Sequence, residues 1–259
     1  MGKERIEKIF KTGKPVLSLY LTAGYPEKDA MPKIAKSLQE YGVDFIEVGM
    51  PYSDPLADGE TIQKSSHTAL KNGMNLKTYF EQVKSISKQT NLPQIFMGYF
   101  NQILQYGPKA FLEACVEAGI DGLIIPDLSP EIYETQYKDL FESYNLAFIF
   151  LVTPTTSEAR IKKIDELSSG FVYVVSTSAT TGNEKGFGDE EIAYFKRIKK
   201  LLRKNPGVLG FGINTHQKYI IANKYLDGAI IGSAFIKKIG DRNKYLSQAK
   251  KFVKEIKAL

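Results

Sequence analysis

Two acidic residues stand where a carboxylate is costly or constrained. Glu47 lies in Phe45-Ile-Glu-Val-Gly49, amid β-branched and aromatic neighbours, where an unpartnered charge is expensive to bury. Strand alternation puts it on one face with Phe45 and Gly49, so that it can point into a pocket. A carboxyl in low-dielectric surroundings has its pKa raised and becomes a general acid and base. Asp58 follows eleven positions later in a loop stiffened by Pro51 and Pro55. Such a loop can fold back and hold a second carboxylate opposite the first. Other readings stand beside these: Glu47 as half of a buried ion pair with a lysine, Asp58 as the acid of an Asp-Gly turn. Asp54 and Asp127 compete for the same roles, and composition does not rank them.

Glycine-bearing turns further along suggest a seat for an anion. They are Gly210-Phe-Gly-Ile-Asn214 and Gly232-Ser-Ala234, with a third at Thr180-Thr-Gly182. Glycine lets backbone N–H groups approach a ligand and adopt positive φ. A short helix starting after Gly232-Ser233 would add unpaired N–H donors and a positive dipole end. The plainer reading is that the glycines end strands tightly. Neither GxxxxGK[ST] nor a strand-following GxGxxG occurs, so a nucleotide is not indicated. Tyr20, Met97, Tyr99, Leu151, Tyr173 and Phe211 fall at or near strand ends, which permits a ligand flat and aromatic at one end and anionic at the other.

The elements that must position these residues alternate. After an amphipathic start at 5–10, strands are expected at 16–20, 44–49, 94–97, 122–125, 147–152, 171–175, 208–211 and 229–231. Helical periodicity fills 28–41, 61–72, 77–88, 108–118, 130–144, 157–168, 189–204, 215–224 and 241–257. Strand–helix alternation means parallel strands joined by crossover helices. Several strands are apolar at nearly every residue, as when both faces are covered. Eight such units in about 250 residues match a closed (β/α)8 barrel, the TIM barrel, here with an extra N-terminal helix. An open doubly wound sheet would need fewer strands or a second domain. No Pro/Gly/Ser-rich linker interrupts the pattern, so residues 1–259 read as a single domain. In such barrels chemistry sits at the C-terminal strand ends, where the singled-out residues lie. The turns after the last two strands are a frequent phosphate seat.

Composition narrows the classes. Of 259 residues, 43% are hydrophobic and 25% charged, with one cysteine and two histidines. Disorder, disulfide scaffolds and multi-histidine metal sites are thereby excluded, and Cys115 in a helical pattern reads as core. No apolar run nears the roughly 20 residues of a membrane span, and Met1-Gly-Lys-Glu-Arg-Ile has no signal-peptide core. A soluble, cytoplasmic chain is expected. The net charge of +6 is spread over helix faces, which argues against nucleic acid.

Glu47 and the loop after it also carry a resemblance. Phe45-Ile-Glu-Val-Gly-Met-Pro-Tyr-Ser-Asp-Pro-Leu-Ala-Asp-Gly59 closely resembles the signature of the tryptophan synthase alpha subunit family. Tyr20-Leu-Thr-Ala-Gly-Tyr-Pro26, Met97-Gly-Tyr-Phe-Asn101, Pro126-Asp127, Gly210-Phe-Gly-Ile213 and Gly232-Ser-Ala234 look like its other landmarks, in the same order along essentially the whole chain. The resemblance implies retro-aldol cleavage of indole-3-glycerol phosphate to indole and glyceraldehyde 3-phosphate. It implies Glu47 as the acid–base residue and Asp58 as partner of the indole N–H. By the same likeness Gly182, Gly212, Gly232 and Ser233 hold phosphate, while Tyr20, Met97, Leu151, Tyr173 and Phe211 enclose indole. Thr181 would close the sixth loop onto Asp58. The family works as an alpha2beta2 complex whose beta subunit carries pyridoxal phosphate, so no cofactor is expected in this chain. Pro51, Asp54, Pro55 and Asn101 match the partner-facing stretches.

Three positions depart from that pattern: Glu60 stands where proline is usual, Thr177 where many members have arginine, and Ser129 where proline is expected. Glu60 and Thr177 are expected to alter loop closure and rate, not the reaction. Two other functions remain in view. One is another phosphate-binding barrel enzyme, such as an indole-glycerol phosphate synthase, disfavoured because no strand-borne lysine lies near the site. The other is a non-catalytic phosphate-binding regulatory subunit.

Overall fold

The computed structural model describes residues 2–55, 58–176 and 186–259. Its strands are β1 (Leu17–Thr22), β2 (Phe45–Gly49), β3 (Gln94–Met97), β4 (Gly122–Ile124), β5 in two pieces (Ala147–Ile149 and Leu151–Val152), β6 (Val172–Val175), β7 (Gly207–Gly210) and β8 (Gly228–Ile231). Every neighbouring pair is parallel, and β8 returns to pair with β1. The fifth strand closes the ring. Its first piece bonds to β4 and its second to β6, with Phe150 between them. The nine hydrogen-bonded segments thus form the eight-stranded barrel that the alternation predicts, with helices around it.

Both faces of the strands are buried, which is why their sequences show little polar alternation. Inside the barrel, Val16, Phe45, Ile95, Ile124, Ala147, Ile149, Phe171, Tyr173, Val208 and Ile230 form one cluster. Outside, Leu17, Leu19, Ile46, Val48, Phe96, Leu123, Phe148, Val172, Val174 and Leu209 pack beneath the helices in a second, larger one.

The N-terminal helix α1 (Gly2–Phe10) plugs the barrel from below, with Ile6 fully buried in the interior cluster. Space for it comes from two glycines. A Cβ at Gly122 would lie 2.9 Å from Ile6 Cδ1, and one at Gly170 would lie 3.0 Å from Ile6 Cγ2. Arg5 clamps the plug, its Nη1 donating to both carboxylate oxygens of Asp121 at 2.9 and 2.8 Å, while Nη2 donates to the Asn91 carbonyl. Asp121 also accepts from the Gln94 amide at 2.9 Å, so α1 is tied to the starts of β3 and β4.

Two local departures from the sequence reading affect the upper rim. The helix expected over 130–144 is interrupted by a π turn at Tyr133–Tyr137. The widened turn lets Tyr133 pack on Phe148, with ring centroids 4.3 Å apart, while Tyr137 meets Phe100 at 4.9 Å. An unexpected helix, Phe100–Tyr106, follows β3. Gly98 and Gly107 on either side of it punctuate the sequence as a loop would. The short helix anticipated after Gly232 is present as Ser233–Lys238.

Truncating the plug tests its share of stability. Ile6→Ala is expected to lower the unfolding free energy by about 2–5 kcal/mol, measured by urea denaturation. An unchanged midpoint would show that the barrel floor holds without α1.

Candidate active site

Glu47 is the third residue of β2, and its register places it beside Tyr20 on β1 and Ile95 on β3. It shares the inner face with Phe45 and Gly49, as alternation predicts. The residue is 1% exposed, and its Oε1 has no hydrogen-bond partner among the described residues. Burial pushes its carboxyl up to about 8. No lysine or arginine among the described residues forms a salt bridge with it, so the described residues offer no ion pair at Glu47. A carboxyl kept neutral near pH 7 is equipped to give a proton and take one back.

Asp58 comes from the loop after β2, two residues before the helix Glu60–Lys71. The Tyr99 hydroxyl donates to its Oδ2 at 3.2 Å, and Gln63 Nε2 donates to its main-chain carbonyl at 2.8 Å. Partial burial raises the Asp58 pKa, and the Tyr99 bond opposes that rise. Tyr20, Met50, Met97, Gly98, Tyr99 and Pro126 line a small pocket with it. Asp58 and Glu47 both lie within electrostatic reach of the Tyr20 and Tyr173 hydroxyls. The two acids therefore converge on one region at the top of the barrel.

Two tyrosine–glycine pairs floor that region. A Cβ on Gly49 would lie 1.9 Å from the Tyr20 hydroxyl oxygen, and one on Gly210 would lie 2.1 Å from that of Tyr173. Each tyrosine thus lies across the neighbouring strand where only glycine leaves room. Phe211 meets Tyr173 edge to face at 6.2 Å, and Met97 and Leu151 pack half-buried on the interior cluster. The sequence-expected apolar set of Tyr20, Met97, Leu151, Tyr173 and Phe211 is therefore gathered at the barrel's upper layer.

The seventh turn is unusual in its backbone. Phe211 and Gly212 are consecutive left-handed residues, with φ of 68° and 72°. For phenylalanine that conformation is uncommon. The Ser176 hydroxyl holds it by donating to the Phe211 carbonyl at 3.1 Å. Gly232 precedes the helix that opens at Ser233, and a Cβ on it would lie 3.6 Å from Tyr20 Cβ. The two glycine turns thus border the same mouth. Thr181, Gly182 and Thr177 lie outside the described residues.

Competing acids separate clearly. Asp127 accepts from the Phe100 amide at 2.9 and 3.1 Å, at the start of the helix after β3. Asp54 is exposed and accepts from the Ser53 hydroxyl at 2.5 Å. Neither points into the barrel with Glu47. Among the residues expected to face a partner, Asp54 and Asn101 are exposed, but Pro51 and Pro55 are buried. The Pro51 carbonyl accepts from Gln102 Nε2 at 3.1 Å, and Tyr52 accepts from Asn101 Nδ2 at 3.1 Å while stacking on Tyr99. Pro51 therefore joins the second loop to the Phe100–Tyr106 helix from within. Glu60 does not crowd Asp58: it pairs with Lys64 at 2.5 Å, one helical turn on, in solvent.

Sequence reasoning named Tyr99 among the strand-end aromatics and in the Met97–Asn101 landmark, Gly49 on the face of Glu47 and Gly210 in the seventh glycine turn, but gave Tyr99 no bond to Asp58 and neither glycine the part of making room for a tyrosine. The Tyr99-Phe-Asn101 stretch and the glycines closing β2 and β7 were the available signals, but hydroxyl-to-carboxylate and ring-to-backbone contacts need the third dimension.

Chemistry in a (β/α)8 barrel occupies this end of the strands, and the class that fold and site define is a barrel enzyme. A family model for the "Tryptophan synthase alpha chain" matches residues 6–259. The tryptophan synthase alpha chain of Christiangramia forsetii is 52% identical over 255 residues, covering 98% of this chain and 99% of that one. That of Flavobacterium psychrophilum is 50% identical over 252 residues, covering 97% and 99%. Among solved structures, Mycobacterium tuberculosis tryptophan synthase superposes with a TM-score of 0.88 at 32% identity, over 98% of this chain and 97% of that one. The tryptophan synthase A-subunit of Pyrococcus furiosus gives 0.87 at 33%, over 94% and 98%. The chain belongs to the tryptophan synthase alpha chain family, enzymes of tryptophan biosynthesis.

The raised Glu47 carboxyl predicts a pH signature in stability. Its ordinary value is 4.5 and its folded value about 8, so between these the folded chain binds a proton that the unfolded chain has lost. Its contribution is therefore fully present below about pH 4 and is lost as pH rises towards 8. Glu47→Gln removes this titration. The variant is expected to gain on the parent from pH 5 to pH 8 by on the order of a few kcal/mol, read by urea unfolding at both pH values. A difference that stays constant would mean that Glu47 is ionised in the fold.

Proposed function

We propose that the chain cleaves indole-3-glycerol phosphate by a retro-aldol reaction, releasing indole and glyceraldehyde 3-phosphate. The observation that carries this reading is Glu47, a carboxylic acid buried without a hydrogen-bond partner on Oε1 among the described residues. Glu47 protonates indole C3, which makes the ring an indolenine cation. The glycerol hydroxyl on the adjoining carbon then gives up its proton, and its electrons form the aldehyde C=O. The bond between that carbon and C3 breaks, and its electron pair returns to the ring and neutralises the nitrogen. Proton gain and loss balance at Glu47.

Asp58 accepts the indole N–H and stabilises the cation as it forms. Tyr99, donating to Asp58, orients that carboxylate and keeps one oxygen occupied. Tyr20, Met97, Leu151, Tyr173 and Phe211 sandwich the bicyclic ring. Gly212, Gly232 and Ser233, with Gly182 from the sixth loop, receive the phosphate through backbone amides, and Thr181 closes over Asp58. The chain supplies this chemistry as one barrel domain without a cofactor of its own. Its product is apolar and would be lost to water. Direct passage to a pyridoxal-phosphate beta subunit in an alpha2beta2 complex, in the cytoplasm, suits that product. Asp54 and Asn101, exposed beside the mouth, form part of the face offered to it.

An indole-release assay tests the reading, run with and without a beta subunit. Glu47→Gln is expected to cut turnover of indole-3-glycerol phosphate by roughly a thousandfold, within the usual range for a lost general acid–base group. Binding of glycerol 3-phosphate should persist. Asp58→Asn is expected to cost roughly ten- to a hundredfold, as a weaker acceptor for the ring cation. Normal turnover in Glu47→Gln would remove the acid–base assignment.

A further inference from the structure

Lys218 sits where neither helix chemistry nor burial favours a lysine. It is the third residue of the helix His216–Tyr225, in the first turn, where the helix dipole disfavours a cation. It is also 4% exposed, although lysine is rarely buried unless paired. No acidic side chain among the described residues forms a salt bridge with it. Its Nζ donates to the Gly212 carbonyl at 3.0 Å and lies 5.3 Å from the centroid of the Phe187 ring.

That polar contact, the one Nζ makes among the described residues, falls on the left-handed turn of the seventh loop. Phe211 O accepts from the Ser176 hydroxyl and Gly212 O accepts from Lys218, so two successive carbonyls are held. In a trans peptide the C=O and the following N–H point in opposite directions. Fixing these carbonyls therefore fixes the amides of Gly212 and Ile213 facing away from Ser176 and Lys218. The ammonium adds a full positive charge to the same turn. An anion taken by those amides lies across the peptide from the ammonium, whose charge, without a counterion among its described neighbours, acts on it through that peptide.

We propose that Lys218 is a positioning residue for a phosphate group: it sets the Gly212–Ile213 peptide and lends its charge to the anion bound there. This rests on the reading of the seventh turn as part of the phosphate seat. Lys218 acts through the turn and touches neither the reacting carbon nor the indole ring.

Lys218→Gln and Lys218→Arg separate charge from hydrogen bonding, since glutamine keeps a donor and loses the charge while arginine keeps both. Titration calorimetry with glycerol 3-phosphate, and separately with indole, is run on the full chain beside thermal unfolding. Lys218→Gln is expected to weaken glycerol 3-phosphate binding about tenfold and leave indole binding within about twofold. Its KM for indole-3-glycerol phosphate should rise by a similar factor while kcat moves by no more than about threefold. Lys218→Arg should recover most of the phosphate affinity. Unchanged glycerol 3-phosphate binding in Lys218→Gln would overturn the proposal, as would an equal loss for both ligands. A parent chain that binds glycerol 3-phosphate but releases no indole would refute the lyase reading and leave this one standing.

Discussion

The rest of the site depends on the desolvation of one carboxyl group. Glu47 occupies an inward position of a barrel strand between Tyr20 and Ile95, where water cannot solvate a negative charge. The barrel tolerates this because the group can remain protonated, which avoids most of the cost of a buried anion. The same choice leaves a proton donor at the C-terminal mouth at neutral pH. Structural tolerance and chemical competence are here one property. An arginine or lysine beside Glu47 would bring its pKa back down and take away the donor.

Other acids in the same molecule show that burial alone does not produce this state. Asp121 is also pushed up by burial, to about 6, but Arg5 and the Gln94 amide resist the rise. Asp165 accepts from the amides of Arg203, Lys204 and Asn205. Asp44 accepts from the Leu17 amide and Asp227 from the Gly207 amide. Asp44, Asp121 and Asp227 directly precede strands, and Asp165, near the end of the helix Glu158–Leu167, holds the chain that leads into β7; all four anchor incoming chain. Glu47 lies near the opposite end, and no such donor among the described residues reaches its buried Oε1. The division follows the general one in this fold, stability below and chemistry above.

Much of this was legible in the sequence because barrel strands carry strong local signals. Runs such as Gly122-Leu-Ile-Ile and Gly228-Ala-Ile-Ile are apolar at successive positions, which only a sheet covered on both sides explains. A glutamate within such a run is conspicuous by its cost. The Phe100–Tyr106 helix was not legible, because flanking glycines look the same around a short helix and a loop. Nor was the π turn at Tyr133–Tyr137, whose extra residue answers to ring packing against Phe148 and Phe100. Pro51 and Pro55 lie in a stretch that carried a partner-facing expectation; both are buried within the chain, while Asp54 between them is exposed. Asp54, Asp58 and Asp127 are chemically equivalent on paper. Only the Tyr99 hydroxyl and the Phe100 amide, each reached across the rim, tell them apart.

The tyrosine–glycine pairs explain how one layer of a small barrel can hold polar chemistry without opening to solvent. Tyr20 crosses Gly49 on β2 and Tyr173 crosses Gly210 on β7, so two large rings fill space that side chains on those strands would otherwise occupy. Each ring brings a hydroxyl to the level of the acids while its apolar body excludes water beneath them. The arrangement also joins the two ends of the site mechanically. Gly210 leads directly into the left-handed turn at Phe211 and Gly212, and the Phe211 ring packs edge to face on Tyr173. Anything that moves the seventh turn must therefore press on the ring whose hydroxyl lies within electrostatic reach of both acids. Packing at the density of a protein interior transmits such displacements instead of absorbing them, so the seventh turn and the layer that holds the acids are coupled through Tyr173.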